Sequence, residues 1–206
     1  MLHFFHHPHS PYSRKVFFLL EESKVAFDLQ MVALERKEQK SDAYLSVNPS
    51  GRVPAIRDGE FTLGESNAIL RYLVRRFELH GFYPLGLREQ AMIDMWWEFC
   101  SSHINRPLMD LAWNKLMAAK YGGRPDHAVI AKAEKNLERD LPVLERHLLG
   151  RNYIVGSELS LADINLMPFA AYAKDVLRIN EYPAFEAWTK RVSARSAWKT
   201  VERYSG

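Results

Sequence analysis

The stretch of chain that decides the fold spans residues 48–66 and reads NPSGRVPAIRDGEFTLGES. Two short apolar runs, Val53–Arg57 and Glu60–Leu63, flank the dipeptide Asp58-Gly59, which accepts the positive φ angles of a tight turn. This pattern predicts a β-hairpin. A helix is predicted next, from Glu65 to Phe77, because its apolar side chains recur every three or four residues.

The preceding residues alternate between strand and helix patterns. Leu2–Phe5 is a short apolar run typical of a buried strand, and Phe27–Met31 alternates apolar and polar residues as a half-buried strand does. Between them we predict a helix over Ser10–Lys24, with Ser10 as its N-cap and Pro11 at its first position. Glu35–Leu45 is charged and weakly amphipathic. The predicted order of the first part is therefore β-α-β-α-β-β-α.

After a connector at residues 80–88, rich in glycine and proline, every pattern is helical. A long amphipathic stretch runs from Arg88 to Tyr121 with a kink expected at Pro107, and a second runs from Asp126 to Leu149. Ser160–Asp163 has the spacing of a capping box that opens an apolar helix. We therefore expect an α+β domain over residues 1–79, a linker over 80–88 and an all-helical domain over 89–206.

Composition excludes several classes of protein. The chain has 206 residues, of which 47% are hydrophobic and 26% charged, the balance of a soluble globular protein. Its net charge of +3 is spread without a block of like charges, so nucleic-acid binding has little support. A single cysteine, Cys100, excludes an internal disulfide, and no apolar run reaches the roughly 18 residues of a membrane span. We expect a cytoplasmic protein with no nucleic-acid or membrane partner.

Four local motifs carry a resemblance that covers nearly the whole chain. They are HSPYSRKV at residues 9–16, NPSGRVPA at 48–55, GESNAI at 64–69 and LSLADI at 159–164. Together with the two-part pattern they resemble the cytosolic glutathione transferase family, of the serine type and bacterial-like or theta-, phi- or zeta-like. The resemblance implies a thioredoxin-like N-terminal domain with βαβαββα order. It also implies an all-α C-terminal domain that contributes the pocket for an electrophile.

Ser10 is the main catalytic candidate. Its local sequence indicates a helix N-cap, and the resemblance adds a catalytic role in which its hydroxyl stabilises the glutathione thiolate. Ser13, about one turn into the helix, is the second candidate. Ser10-Pro11-Tyr12-Ser13 also resembles the Cys-Pro-Tyr-Cys pattern of glutaredoxins with both cysteines replaced, and serine cannot form a mixed disulfide. This argues against thiol–disulfide exchange.

Binding of glutathione is implied for seven further residues: Gln39, Lys40, Arg52, Val53, Pro54, Glu65 and Ser66. Val53-Pro54 resembles the cis-proline dipeptide whose backbone pairs with the cysteinyl part of glutathione like an added strand. Glu65 and Ser66 match the residues that hold the γ-glutamyl end, at a helix N-terminus suited to an anion. Gln39, Lys40 and Arg52 are candidates for the glycine carboxylate.

The remaining candidates concern the second substrate. His9, Tyr12, His103 and Trp113 are the candidate contacts of the electrophile. Four histidines fall within the first nine residues, but strand alternation sends His3 and His6 to different faces, so we expect no metal site.

The leading hypothesis is a homodimeric glutathione transferase acting on small apolar electrophiles, with glutathione as cosubstrate and no tightly bound cofactor. A non-catalytic glutathione-binding regulatory module is an alternative, which the retention of Ser10, Pro54, Glu65 and Ser66 disfavours. A specialised dehalogenase, lyase, isomerase or peroxidase that uses glutathione stays open, because these reactions share the same first-domain site.

Overall fold

A computed structural model describes residues 1–204 of the chain. The chain folds into two compact units. The first unit contains Met1–His80 and the described residues from Arg195 onward, and the second is Gly81–Ala194. No helix in the described part of the chain is both long and apolar enough to cross a membrane.

The first unit is built on a four-stranded sheet with the order β2-β1-β3-β4. Strand β1 runs parallel to β2 and antiparallel to β3, and β3 runs antiparallel to β4. The strands are β1 (Leu2–His6), β2 (Phe27–Met31), β3 (Ala55–Asp58) and β4 (Phe61–Leu63). Its helices are α1 (Pro11–Ser23), α2 (Asp42–Leu45) and α3 (Ser66–Arg76), so the predicted βαβαββα order is confirmed.

The sheet is covered on both faces. On one face Phe4 packs against Phe17 of α1, and both rings are buried. On the other face Phe5 packs edge-to-face against Tyr44 of α2, within a smaller cluster of buried residues. A buried aromatic side chain of this size contributes about 1.5–3 kcal/mol, so alternation along β1 stabilises both layers.

The last helix, α10 (Ser196–Arg203), belongs to the first unit. Its Trp198 is buried edge-to-face against Phe18 of α1 at 5.3 Å, and the Arg14 guanidinium lies 4.7 Å from the Trp198 ring centroid. Just before the helix, the Arg195 guanidinium donates to both carboxylate oxygens of Glu22 at 2.6 and 2.9 Å. This differs from the expected helical domain over 89–206, because helical periodicity identifies an apolar face but not the surface that covers it.

The second unit is entirely helical among its described residues. Its α-helices are α4 (Leu87–Phe99), α5 (Arg106–Ala112), α6 (His127–Leu148), α7 (Leu161–Ala170), α8 (Ala173–Val176) and α9 (Pro183–Ser193). Between α4 and α5 the chain stays helical but widens to π-type turns over Cys100–Asn105. The widening precedes Pro107, which has no amide hydrogen for the normal bond to the preceding turn.

Helix α7 forms the centre of the second unit, and all ten of its residues are buried. The predicted capping box is confirmed, since Asp163 Oδ2 accepts from the amide and hydroxyl of Ser160 at 2.9 and 2.8 Å. Asp163 Oδ1 accepts from the Ile154 amide and Trp188 Nε1, both at 2.8 Å. Burial raises the pKa of Asp163. The four hydrogen bonds lower this pKa and offset part of the effect of burial.

One local prediction needs correction. The turn of the hairpin is Gly59-Glu60 rather than Asp58-Gly59, because Asp58 pairs with Phe61 at the end of the ladder. Asp58 is held there by the hydroxyl of Tyr72 and Nε of Arg76, at 2.8 and 3.0 Å. The charged region 35–45, whose pattern fits a modest helix or an irregular stretch, forms two single 3₁₀ turns followed by the one-turn helix α2.

Candidate active site

Three segments with candidate residues leave the sheet of the first unit at the same end. The register pairs Phe5 with Ala55, so the chain after β1 and the chain before β3 emerge together. It also pairs Leu63 with Ile56, which brings the chain after β4 to that end. The sheet therefore gathers Ser10, Val53-Pro54 and the start of α3 at one end.

Ser10 is the N-cap of α1, as predicted. Its backbone is extended, with φ −82° and ψ 114°, and its Oγ accepts from the Ser13 amide at 3.3 Å. The side chain is half-buried. Because the capping bond uses only the oxygen lone pair, the hydroxyl proton stays available to donate. Capping and donation to a ligand are therefore compatible in one residue.

Ser13 is placed differently. Its side chain is fully buried, and its Oγ accepts from the His7 amide at 3.3 Å. This bond ties the loop after β1 to the first turn of α1. Burial removes Ser13 from contact with a ligand in this conformation, which favours Ser10 of the two serines.

The loop before β3 is held by two side chains that sequence reasoning missed. Asn48 Nδ2 and the Tyr44 hydroxyl both donate to the Arg52 carbonyl at 2.7 Å, and Asn48 Oδ1 accepts from the Ser50 amide and hydroxyl. Burial raises the pKa of Tyr44 to about 12, so its hydroxyl stays protonated and donates at any physiological pH. The loop is thereby fixed just before the Val53-Pro54 peptide bond.

Val53-Pro54 is a cis peptide, in agreement with the resemblance. The paired part of β3 begins at Ala55, so Val53 lies beyond the ladder with β1. Pro54 is buried, whereas Val53 is half-buried and Arg52 exposed. This arrangement leaves the Val53 backbone beyond the ladder, at the end of the sheet, where an extended peptide would pair with it as an added strand.

Gln39 and Lys40 lie against the same loop. A Cβ atom on Gly51 would meet Lys40 Nζ at 2.7 Å and the Gln39 carbonyl at 2.9 Å, and Gly51 has a φ of +59°. Only glycine therefore suits this position. The Gln39 Oε1 atom is buried without a hydrogen-bond partner among the described residues. Lys40 and Arg52 place two cationic side chains at this part of the first unit.

The start of α3 supplies the third segment. Ser66 is the first residue of the helix and is 7% exposed, while Glu65 before it is exposed and has an unusual φ of 61° for a residue with a side chain. Gly64 lies against Asn48, since a Cβ there would meet Asn48 Oδ1 at 2.8 Å. Asn48 thus positions both the 48–52 loop and the entry to α3.

Lys15 is a further residue that the sequence did not single out. Its side chain is buried, at 2% exposed, and its ammonium group donates to Asn67 Oδ1 in the first turn of α3. This bond joins α1 to the N-terminal end of α3, and the two helices also pack against each other. A lysine flanked by Arg14 in an amphipathic pattern gives no sequence signal of burial.

The histidines near Ser10 form a small cluster. His7 Nδ1 accepts from the His9 amide at 3.3 Å, and their rings are 5.5 Å apart. His7 Nε2 lies 4.0 Å from the Glu35 carboxylate. The pKa of His7 is lowered, first by burial and then by repulsion from His9, while Glu35 raises it.

Two of the predicted electrophile contacts lie in this region. His9 is exposed, and Tyr12 is 40% exposed. The Lys15 ammonium group lies 5.7 Å from the centroid of the Tyr12 ring.

The other two candidates belong to the second unit. His103 Nδ1 lies 3.6 Å from Asp140 Oδ2, and its ring centroid is 5.2 Å from that of Phe99. Asp140 is also bound by two nitrogens of Arg139 at 2.8 and 2.7 Å. Trp113 is 46% exposed. Each side chain presents an accessible ring on the helical unit.

Metal ligands do not converge in the described residues: among residues 1–204 no group of three His, Cys, Asp or Glu side chains could hold an ion. His3 is hydrogen-bonded to Asp28 at 2.9 Å on one face of the sheet, and His6 is buried on the other. Cys100 is fully buried, and burial raises the pKa of its thiol, which keeps it protonated.

Comparisons with known proteins agree with this geometry. Residues 9–76 match the family model for "Glutathione S-transferase, N-terminal domain", and residues 104–196 match that for "Glutathione S-transferase, C-terminal domain". The chain is 32% identical to glutathione S-transferase F9 of Arabidopsis thaliana, over 96% of this chain and 95% of that protein.

Two solved structures extend the agreement to the fold. Glutathione transferase F7 from Populus trichocarpa superposes with a TM-score of 0.90 at 29% identity, over 100% of both chains. Glutathione S-transferase-I, solved with the ligand lactoylglutathione, superposes with a TM-score of 0.89 at 27% identity, over 98% of this chain and 99% of that one. By its sequence and by its fold, this chain belongs to the glutathione S-transferase family.

Proposed function

We propose that this chain is a glutathione transferase that joins alkyl or aryl groups to the sulfur of glutathione, with Ser10 as the thiolate-stabilising residue. One observation carries the proposal. Ser10 caps α1 with a hydroxyl proton still free to donate, at the end of the sheet where Val53 and the N-terminus of α3 also emerge. A relative of the same fold was solved with the ligand lactoylglutathione, which supports a glutathione ligand for this chain.

The site must stabilise the glutathione thiolate at neutral pH. A free thiol with a pKa of about 8.5 is only a few per cent ionised at pH 7, and lowering that pKa by about two units stabilises the anion by ~2.7 kcal/mol. A hydrogen bond to a charged group contributes about 1.5–3 kcal/mol, and a helix N-terminus adds up to ~2 kcal/mol in a partly buried site. Ser10 at the start of α1 offers both. The two contributions together suffice for this shift.

The cysteinyl backbone, the γ-glutamyl group and the glycine carboxylate of glutathione are assigned to residues at the same end of the sheet. The Val53 backbone pairs with the cysteinyl residue as an added strand, with cis-Pro54 setting its direction. The Ser66 hydroxyl and the first amides of α3 bind the γ-glutamyl carboxylate, and Glu65 binds its ammonium group. Gln39, Lys40 and Arg52 bind the glycine carboxylate, to which the Gln39 side-chain amide nitrogen and the two cations can donate.

In the reaction, the thiolate attacks an electrophilic carbon of a small apolar substrate and forms the carbon–sulfur bond. In a displacement, the leaving group departs with the electron pair of the broken bond; in an addition, water supplies a proton to the product. Ser10 keeps its proton throughout, so no tightly bound cofactor or base is required. His9, Tyr12, His103 and Trp113 are the proposed contacts of the electrophile.

We propose a homodimer as the assembled form, in the cytoplasm where glutathione is kept reduced. A concave face of about 810 Å³ follows α3 and is strongly cationic. In contrast, α4 carries three acids, Glu89, Asp94 and Glu98, against one cation, Arg88, and its Met92 and Met95 side chains are about half exposed. The charges of α3 in one copy and α4 in a second copy are complementary. Sedimentation at micromolar concentration tests this, and a monomer would contradict it.

The central experiment compares native protein with Ser10→Ala, using Ser13→Ala as the matched control. We expect Ser10→Ala to raise the pKa of bound glutathione by one to two units, seen as thiolate absorbance against pH. Its turnover of 1-chloro-2,4-dinitrobenzene should fall about 10- to 100-fold at pH 7 and recover in part as the pH rises. The dissociation constant of glutathione should change little.

Two results separate the parts of this proposal. Glutathione binding without turnover across a panel of electrophiles would contradict the enzymatic function. A native-like rate in Ser10→Ala with a slow Ser13→Ala would move the role to Ser13. Since Ser10→Ala also removes a helix cap worth about 1 kcal/mol, the stability of each variant is measured by urea unfolding.

A further inference from the structure

A cavity of about 610 Å³ lies wholly within the second unit, and none of the residues assigned above lines it. It is bounded by one face of α6 and by the chain from the end of α8 to Tyr182. Its floor is apolar, made of the buried side chains of Leu137, Leu141 and Val176. Its volume falls within the range of small-molecule sites.

The rim of the cavity is acidic. Four carboxylates line it (Glu134, Glu138, Asp175 and Glu181), against two cations, Lys115 and Arg178. Each cation already has a partner, since Lys115 Nζ lies 2.7 Å from Glu134 and Arg178 lies 3.6 Å from Glu181. Within residues 1–204, Glu138 and Asp175 have no ion pair. The rim therefore carries two uncompensated negative charges.

Tyr182 adds an aromatic wall to this negative environment. The pKa of its phenol is raised, first by burial and then by the carboxylates of Glu181, Glu138 and Glu145. The ring is thus neutral at physiological pH and lies in the field of several acids. The face of a tyrosine ring attracts an organic cation by its quadrupole, most strongly where water is partly excluded.

We propose that this cavity binds an organic ammonium ion carried on a short aromatic or apolar body. The apolar floor takes the body, while Glu138, Asp175 and the Tyr182 ring take the ammonium group. The excess of negative charge rejects carboxylates and other anions. The floor also disfavours a bare metal ion, which has no apolar part to bury, and a polyamine, whose methylene segments are short and lie between charged groups.

The test uses phenethylammonium chloride, titrated into the native protein and followed by NMR of the backbone amides and by calorimetry. Three probes of related shape act as comparisons: 2-phenylethanol, phenylacetate and methylammonium. We expect saturable binding of phenethylammonium, with shifts centred on residues 115–182. The alcohol should bind at least about 5-fold more weakly, methylammonium at least about 10-fold more weakly, and phenylacetate not at all.

The matched variants alter charge without altering the apolar floor. Glu138→Gln combined with Asp175→Asn removes the two unpaired charges, and both positions are exposed, so folding should be retained. The control combines Glu158→Gln with Glu202→Gln, two exposed acids that do not line the cavity. We expect a 5- to 20-fold loss of affinity in the first variant and less than a 2-fold change in the control.

Several outcomes would overturn the proposal. They are the absence of saturation at tens of millimolar, equal affinity for phenylacetate, an unchanged affinity in the double variant, or equal losses in the two variants. Tighter binding of Ca²⁺ or spermidine than of phenethylammonium would indicate an acidic surface without use of the floor. Because the titration needs neither glutathione nor turnover, its result is independent of the function proposed above.

Discussion

His6 makes the stability of the first unit depend on pH. The side chain is fully buried on β1, with its ring centroid 5.5 Å from those of both Phe4 and Phe17. Within the described residues, neither of its ring nitrogens has a hydrogen-bond partner. Burial, with a smaller contribution from His7, lowers the pKa of His6 to about 4. The folded protein therefore keeps this ring neutral through the range in which an unfolded histidine, with a pKa of about 6.5, takes up a proton.

The direction and size of the effect follow from linkage. Above about pH 7 the ring is neutral in both states and contributes no pH dependence. As the pH falls below 6.5 the unfolded chain binds a proton that the folded chain excludes, so stability decreases until about pH 4. The full difference of about 2.5 pKa units corresponds to ~3 kcal/mol, of which ~2 kcal/mol is lost between pH 7.5 and pH 5.

The assay is urea unfolding of native protein and His6→Leu at pH 7.5 and at pH 5, at one protein concentration. Leucine fills a similar volume without a titrating or unpaired polar group, so the variant should be more stable than native by about 1–3 kcal/mol at pH 7.5. At pH 5 its advantage should grow by a further ~2 kcal/mol. His80→Leu, at an exposed histidine, is the control and should change neither value by more than about 0.5 kcal/mol. Parallel stability profiles of native and His6→Leu, or an NMR titration of the His6 ring near pH 6.5, would refute the reasoning.

Two further predictions concern the positioning of the glutathione site. Asn48→Ala removes the bond to the Arg52 carbonyl and the acceptor for Ser50, so stability should fall by about 1–3 kcal/mol in urea unfolding and glutathione affinity should fall with it. An unchanged affinity would show that the loop is held by other contacts. Glu65→Gly relieves a backbone conformation that costs about 1–3 kcal/mol with a side chain, yet removes the carboxylate proposed to bind ammonium. It should therefore keep or raise stability while glutathione affinity falls at least about 10-fold, whereas Glu65→Ala keeps the strain and should lower the affinity with little change in stability; a Glu65→Gly variant no more stable than Glu65→Ala would contradict this.

Features governed by local chemistry were predictable from the sequence. The strands β1 and β2, the Ser10 cap and the Ser160–Asp163 box each depend on residues a few positions apart, and each is present in the structure, although the burial of β2 does not alternate as its sequence does. The gathering of Ser10, Val53 and Ser66 at one end of the sheet follows from the strand order. Their roles toward glutathione are proposals that the experiments above address.

Features set by distant contacts were not predictable. The turn at Gly59 depends on Tyr72 and Arg76, which hold Asp58 from the far end of α3. The burial of Lys15 depends on Asn67, which is 52 positions away. The sequence pattern of a charged, amphipathic segment is the same whether its polar groups face water or a distant partner. Contacts of this kind can therefore be identified only in the folded structure.

The packing of α10 on α1 has a consequence for synthesis. The first unit is discontinuous, because 114 residues of the second unit separate its sheet from the helix whose Trp198 covers Phe18. At a translation rate of about 5–20 residues per second, synthesis of these 114 residues takes roughly 6–23 s, so the sheet and its first helices are made that long before α10. During this interval the apolar face of α1 that Trp198 will occupy is open to chaperones on the ribosome. The part of the protein that is made first is thus among the last to be finished.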